Sequence, residues 1–77
     1  TLGLSGDLTM ADAKNIVVNA TTGTKIGTAT TQKIGFFNAT PVVQGASVAD
    51  ATDAATAITQ LNALISRIEA TGLIATV

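Results

Sequence analysis

Ser47–Ala70, SVADATDAATAITQLNALISRIEA, decides how the chain reads. Ala51, Ala54, Ile58, Leu61, Ile65 and Ile68 fall at spacings of 3, 4, 3, 4 and 3. This is a heptad seam with Ala51, Ile58 and Ile65 at a, and Ala54, Leu61 and Ile68 at d. Asp50 and Asp53 stand where the positive end of a helix dipole favours carboxylates, Arg67 stands in the last turn, and Gly72 is a natural stop. From Ala51 to Ile68 such a helix runs about 27 Å, too short to be secure alone in water. Ile at a with mixed Leu and Ile at d leans away from dimers and toward three strands. Ala57 and Leu64 at g widen the apolar face, which suits a trimer better than a dimer. The alternative is an amphipathic helix folded back on a sheet of its own chain.

Working toward the N-terminus, Thr21–Gln44 is rich in Thr, Gly and Ile and holds an echo: Lys25-Ile26-Gly27 returns as Lys33-Ile34-Gly35. The offset of eight is even, so in one extended conformation both isoleucines face the same way, and two similar strands are expected. Adjacent Phe36 and Phe37 point to opposite faces of a strand, one toward core and the other toward a neighbouring chain. Asn38-Ala39-Thr40-Pro41 reads as a turn, with Thr40 held extended by the proline. In Thr1–Ala20, Leu2, Leu4, Leu8 and Met10 are evenly spaced and Ile16-Val17-Val18 is β-branched, so two short strands are expected around a turn or single helical turn at Asp12–Asn15. Leu73–Val77 reads as a final short strand or cap.

Composition explains why partners are needed. A 77-residue chain of 7.6 kDa is a single small domain, and with no Cys and no His it has neither disulfides nor the usual zinc ligands to brace it. Charged residues are only 12%, hydrophobic residues 47% and aromatics 3%, at a mean hydropathy of +0.49. So little charge leaves few means of keeping surfaces apart, and much of the chain is expected to face other protein. A net charge of −1, no basic cluster and no Tyr or Trp argue against nucleic acid as a partner. No run of eighteen apolar residues is present to span a membrane. Thr1 stands where an initiator Met would, and no signal-peptide pattern is visible, so the chain reads as a piece or processed form of something longer.

Chemistry finds little to work with, and neither catalytic, cofactor-binding nor metal-binding residues are expected. Nucleophile-and-base arrangements lack His and Cys, and Lys14, Lys25 and Lys33 read as solvated strand-edge charges. Asp50 and Asp53 are explained by the dipole, while Asp7 and Asp12 lack the dense oxygen spacing of a calcium loop. Gly23–Thr28 has the wrong order for a phosphate loop, because its Lys precedes Ile-Gly instead of opening a helix after Gly.

Gly23–Gln44, GTKIGTATTQKIGFFNATPVVQ, followed by Ala49-Asp-Ala-Thr-Asp-Ala-Ala and an Ile/Leu helix, resembles the phage head-fibre and tail-fibre proteins. The upstream Gly6–Asn19 is similar to sequence that precedes this segment in such fibres, so the resemblance covers about two-thirds of the chain. The departure is Gln44-Gly45-Ala46, where proline is expected after the glutamine, and a looser link to the helix follows. The resemblance implies β structure in a trimeric shaft or knob followed by a three-stranded helix bundle. It supplies no catalytic residues.

The expected fold class is therefore α+β: short strands forming an intertwined trimeric β module over 1–45, a three-stranded coiled-coil helix over 46–72, and a short strand or cap over 73–77. Ala51, Ala54, Ile58, Leu61, Ile65, Ile68, Ile26, Ile34, Phe36 and Phe37 are the expected trimer contacts. The expected role is a homotrimeric virion protein at the phage particle surface, with itself, capsid or tail proteins, and a host surface receptor as partners. A receptor-binding tip is the second reading, and a depolymerase the third. Glycan sites favour aromatic platforms, for which only Phe36 or Phe37 is available, and an enzyme lacks its groups.

Overall fold

The computed structural model describes residues 2–77. Its one helix among these, α1, spans Ala54–Thr71. The sequence places an N-cap side chain ahead of a run with no Gly or Pro, so the start is defined by hydrogen bonds. Asp53 is extended (φ −154°, ψ −177°), and its Oδ1 accepts from the Thr56 backbone N–H at 2.8 Å. The Thr56 Oγ1 in return accepts from the backbone N–H of Asp53 at 2.9 Å and of Thr52 at 2.8 Å. This is a capping box with Thr in the place more often held by Glu or Gln. It sets the start three residues later than Ala51, which lies outside the helix, as does Asp50.

Gly72 ends α1 in the left-handed conformation (φ 86°), its N–H donating to the Glu69 carbonyl at 3.0 Å. The Thr71 hydroxyl donates to the Ile68 carbonyl at 2.7 Å. The Thr71 carbonyl, which no helical N–H can reach, accepts from the Phe36 N–H at 2.9 Å. That last bond docks a tight turn on the helix end. In Phe36–Ala39 the central residues Phe37 (φ 51°) and Asn38 (φ 64°) are both left-handed, and the Ala39 N–H donates to the Phe36 carbonyl at 3.0 Å. Two positive φ values in succession are the mark of a type I′ turn. The turn therefore sits two residues earlier than Asn38–Pro41. Behind it, Ile34 and Val42 exchange backbone bonds of 2.9 and 3.1 Å as a single antiparallel bridge.

The expected α+β class with its β module over 1–45 is not what forms. One isolated bridge is the only β pairing among the described residues. Strand propensity in Leu2–Met10, Ile16–Val18 and the two Lys-Ile-Gly echoes reports side chains that fit a pleated surface, but a strand also needs a backbone to pair with. Here the echoes diverge: Gly27 is left-handed (φ 91°), the following loop is clamped by Gln32, whose Oε1 accepts from the Thr28 N–H at 2.7 Å, and Ile26 stays exposed where Ile34 is half-buried in its bridge. Asp12 and Ala13 form a turn closed by the Lys14 N–H on the Ala11 carbonyl (3.2 Å), and the residues around it run free of ladder bonds. Leu73–Val77 forms no strand and turns back, the Val77 N–H donating to the Glu69 carboxylate at 3.1 Å.

No hydrophobic residue is fully buried among those described. The radius of gyration is 16.5 Å, against about 11.5 Å for a compact chain of this length. Accessible surface is 6957 Å², where a compact monomer of the same mass exposes roughly 4,300 Å².

Candidate assembly interface

Two faces of α1 have opposite fates. Thr56, Gln60, Ala63 and Arg67 form one stripe, and all four are half-buried. The segment leading into the helix returns along it: the Arg67 Nε donates to the Ala46 carbonyl at 3.2 Å, and a Cβ on Gly45 would stand 3.2 Å from Arg67 Cδ. Arg67 thus serves as a strap, one turn earlier than the helix terminus that its sequence position suggested. The heptad residues Ala54, Ile58, Leu61, Ile65 and Ile68 lie about 150° away at 100° per residue. Ile58 is 66% and Leu61 57% exposed, and Ile65 and Ile68 are half-buried. The whole of the more polar stripe is half-buried, whereas the apolar one is open at Ile58 and Leu61 and half-buried at Ile65 and Ile68.

Ile26, Ile34 and Phe36 are brought together elsewhere. They line an open cleft of about 620 Å³, bounded by the Lys25–Thr30 loop on one side and Val42–Gly45 on the other. Ile34 is half-buried in its bridge, Phe36 is 39% exposed, and Ile26 stands at the rim, 78% exposed. Within one chain Ile26 is therefore not buried. Phe37, 86% exposed at the apex of the left-handed turn, lines a separate depression with Glu69, Gly72 and Leu73. The seam and the cleft share no residue.

The tight point of this region is Gly72. A Cβ there would run into the Phe36 carbonyl and come within 2.6 Å of the Ala39 Cβ, in a backbone conformation that side chains resist. Sequence reasoning took Gly72 as a stop and missed that it is also the seat of the Phe36 turn. Asn38, a residue that tolerates left-handed φ, is the one local signal of that turn.

Among charged groups, Asp53 is held below the usual carboxylate range, first by the hydrogen bond from the Thr56 backbone and then by that from the Thr56 hydroxyl. Its role is to cap. No three acidic, His or Cys side chains gather among the described residues, and no helix is long and apolar enough to cross a membrane. No family model matches the chain, and neither curated proteins nor solved structures give a match.

Proposed function

We infer that the chain is a structural module of a phage virion, a fibre or capsid-decoration component that assembles as a homotrimer through α1. The observation that carries this is the exposed part of the heptad face: Ile58 and Leu61 are left to solvent while the opposite stripe is half-buried, its Arg67 held on the Ala46 carbonyl. A monomer gains by burying the apolar stripe, and only the reverse arrangement leaves it for copies of itself. Ile at a with Leu and Ile at d favours three helices around the seam. The phage setting comes from the resemblance of Gly23–Gln44 to head-fibre and tail-fibre proteins, and it makes capsid or tail proteins the further partners. The earlier picture of a β-rich shaft does not enter, since the β pairing is a single bridge. Light scattering of the isolated chain at micromolar concentration is expected to give three times 7.6 kDa. A stable folded monomer overturns the reading.

A receptor-binding tip is the second reading, favoured by Phe37. An aromatic ring held out on a left-handed turn is an unusual thing to leave in water. Binding to host cells that falls in Phe37→Ala while the trimer persists supports the tip, and unchanged binding removes it.

A further inference from the structure

Residues 2–20 form an arm that nothing in its own chain shelters: every one of them is exposed, Val17 to 88%. Its backbone and side-chain hydrogen bonds are local, the Ala11–Lys14 turn and the Asn19 side chain accepting from the Thr21 N–H. Yet it carries Leu2, Leu4, Leu8, Met10 and Ile16-Val17-Val18, an apolar content fit for burial. The cleft of Ile26, Ile34 and Phe36 is likewise open. We propose that the two complete each other between copies: the arm of one subunit, around Leu8 and Met10, fills the cleft of its neighbour. The proposal rests on the trimeric reading above.

Three observations select a second copy as the occupant. The first is area. The chain exposes roughly 2,700 Å² beyond a compact monomer of its mass, whereas two ordinary interfaces at about 800 Å² per partner account for about 1,600 Å². Helix contacts alone leave a large remainder, to which the arm, exposed at every residue, contributes. The second is reach. Met10 can extend up to about 33 Å from Ala20, comparable with the two shorter of the 47 × 32 × 27 Å extents of the chain, so a neighbour around a common axis is within range. The third is charge. Asp7 and Asp12 flank Leu8 and Met10, while Thr21–Gly45 carries Lys25 and Lys33 with no acidic residue, and Lys25 borders the cleft. An arm with net negative charge meets a positive rim over an apolar floor.

The test uses the fact that Met10 is the one methionine and Phe36 one of only two phenylalanines. Copies labelled at the Met methyl in a deuterated background are mixed, by unfolding and refolding, with copies protonated only at Ile and Phe. Nuclear Overhauser contacts from the Met10 methyl to Ile26, Ile34 or Phe36 in the mixed sample are the expected result, since they can arise only between subunits. In the Ile26→Asp variant the Met10 methyl line is expected to narrow while the mass stays trimeric. A trimer without those contacts overturns the arm exchange and leaves the helix assembly standing. A monomer by light scattering overturns both.

Discussion

The two ends of the chain are about equally apolar and fold to very different degrees. α1 has its first N–H groups capped by Asp53 and Thr56 and its last carbonyls taken by Gly72, Thr71 and Phe36. The arm over 2–20 has strand-like spacing but no backbone to pair with. The difference lies in where the hydrogen-bond partners are. A helix satisfies itself within four residues, so a cap and a stop suffice to define it, whereas an extended segment takes its partners from elsewhere. Hydrophobic content decides what must be covered, and local bonding decides what can form before the cover arrives.

The comparison breaks most visibly at Ile65. In the proposed trimer, Ile65→Asp would bring three carboxylates into one apolar seam, each costly to desolvate and repelling the others. Loss of the trimer and of most helical circular dichroism is expected, with sizing and thermal melting as the measurements. A trimer with an unchanged melt means α1 is not what joins the chains.

Glycine substitutions sharpen the contrast between the ends. Gly72→Ala places a Cβ against the Phe36 carbonyl in a left-handed backbone, which by itself costs roughly 1–2 kcal/mol, and the clash adds to it. Gly3→Ala has open space around it, so no loss is expected. Denaturant midpoints of the two variants measure the difference, and equal midpoints would mean the turn does not sit on the helix end in solution.

The smallest effect is electrostatic. Because the native Asp53 carboxyl lies below the ordinary value of about 3.9, it stabilises the folded state above that value. The contribution fades as pH falls through the lower native value. Helicity followed on acidification should drop over that acid range, and Asp53→Asn, which keeps a side-chain acceptor, should flatten the profile. Asp50→Asn should change nothing, since Asp50 precedes the cap and touches no helix N–H. An equal response in the two variants would move the cap to Asp50.

These variants also mark how far the sequence could be read. The heptad from Ala54 to Ile68 and the stop at Gly72 were legible because helix periodicity and caps are local. The start was placed too early, at Ala51, because Ala51 fits the spacing and the Thr56 hydroxyl is a less familiar half of a capping box. The β module was over-read from Leu2–Met10 and the Lys-Ile-Gly echoes. Even spacing and Thr-rich composition describe a strand's side chains and leave its pairing unstated, and the left-handed Gly27 breaks the similarity that the echo implied. The proposed contact residues were recognisable only as a set of apolar positions. Their division between an open helix face and a separate cleft was not, since it depends on the return of Gly45–Val48 along Arg67 and on the turn that Gly72 seats.

The bond from the Phe36 N–H to the Thr71 carbonyl has a consequence for the order of events during synthesis. Phe36 leaves the ribosome well before Thr71, so the left-handed turn has no seat until the whole of α1 has been made. Up to that moment the cleft above Ile34 and Phe36 lacks the wall that Thr71 supplies. A nascent chain therefore has no finished cleft until its helix is made, and under the proposed arm exchange pairing between copies would wait for that step. The closing hydrogen bond acts as a timing device: the turn and the cleft wall it seats cannot be in place before α1 has been made.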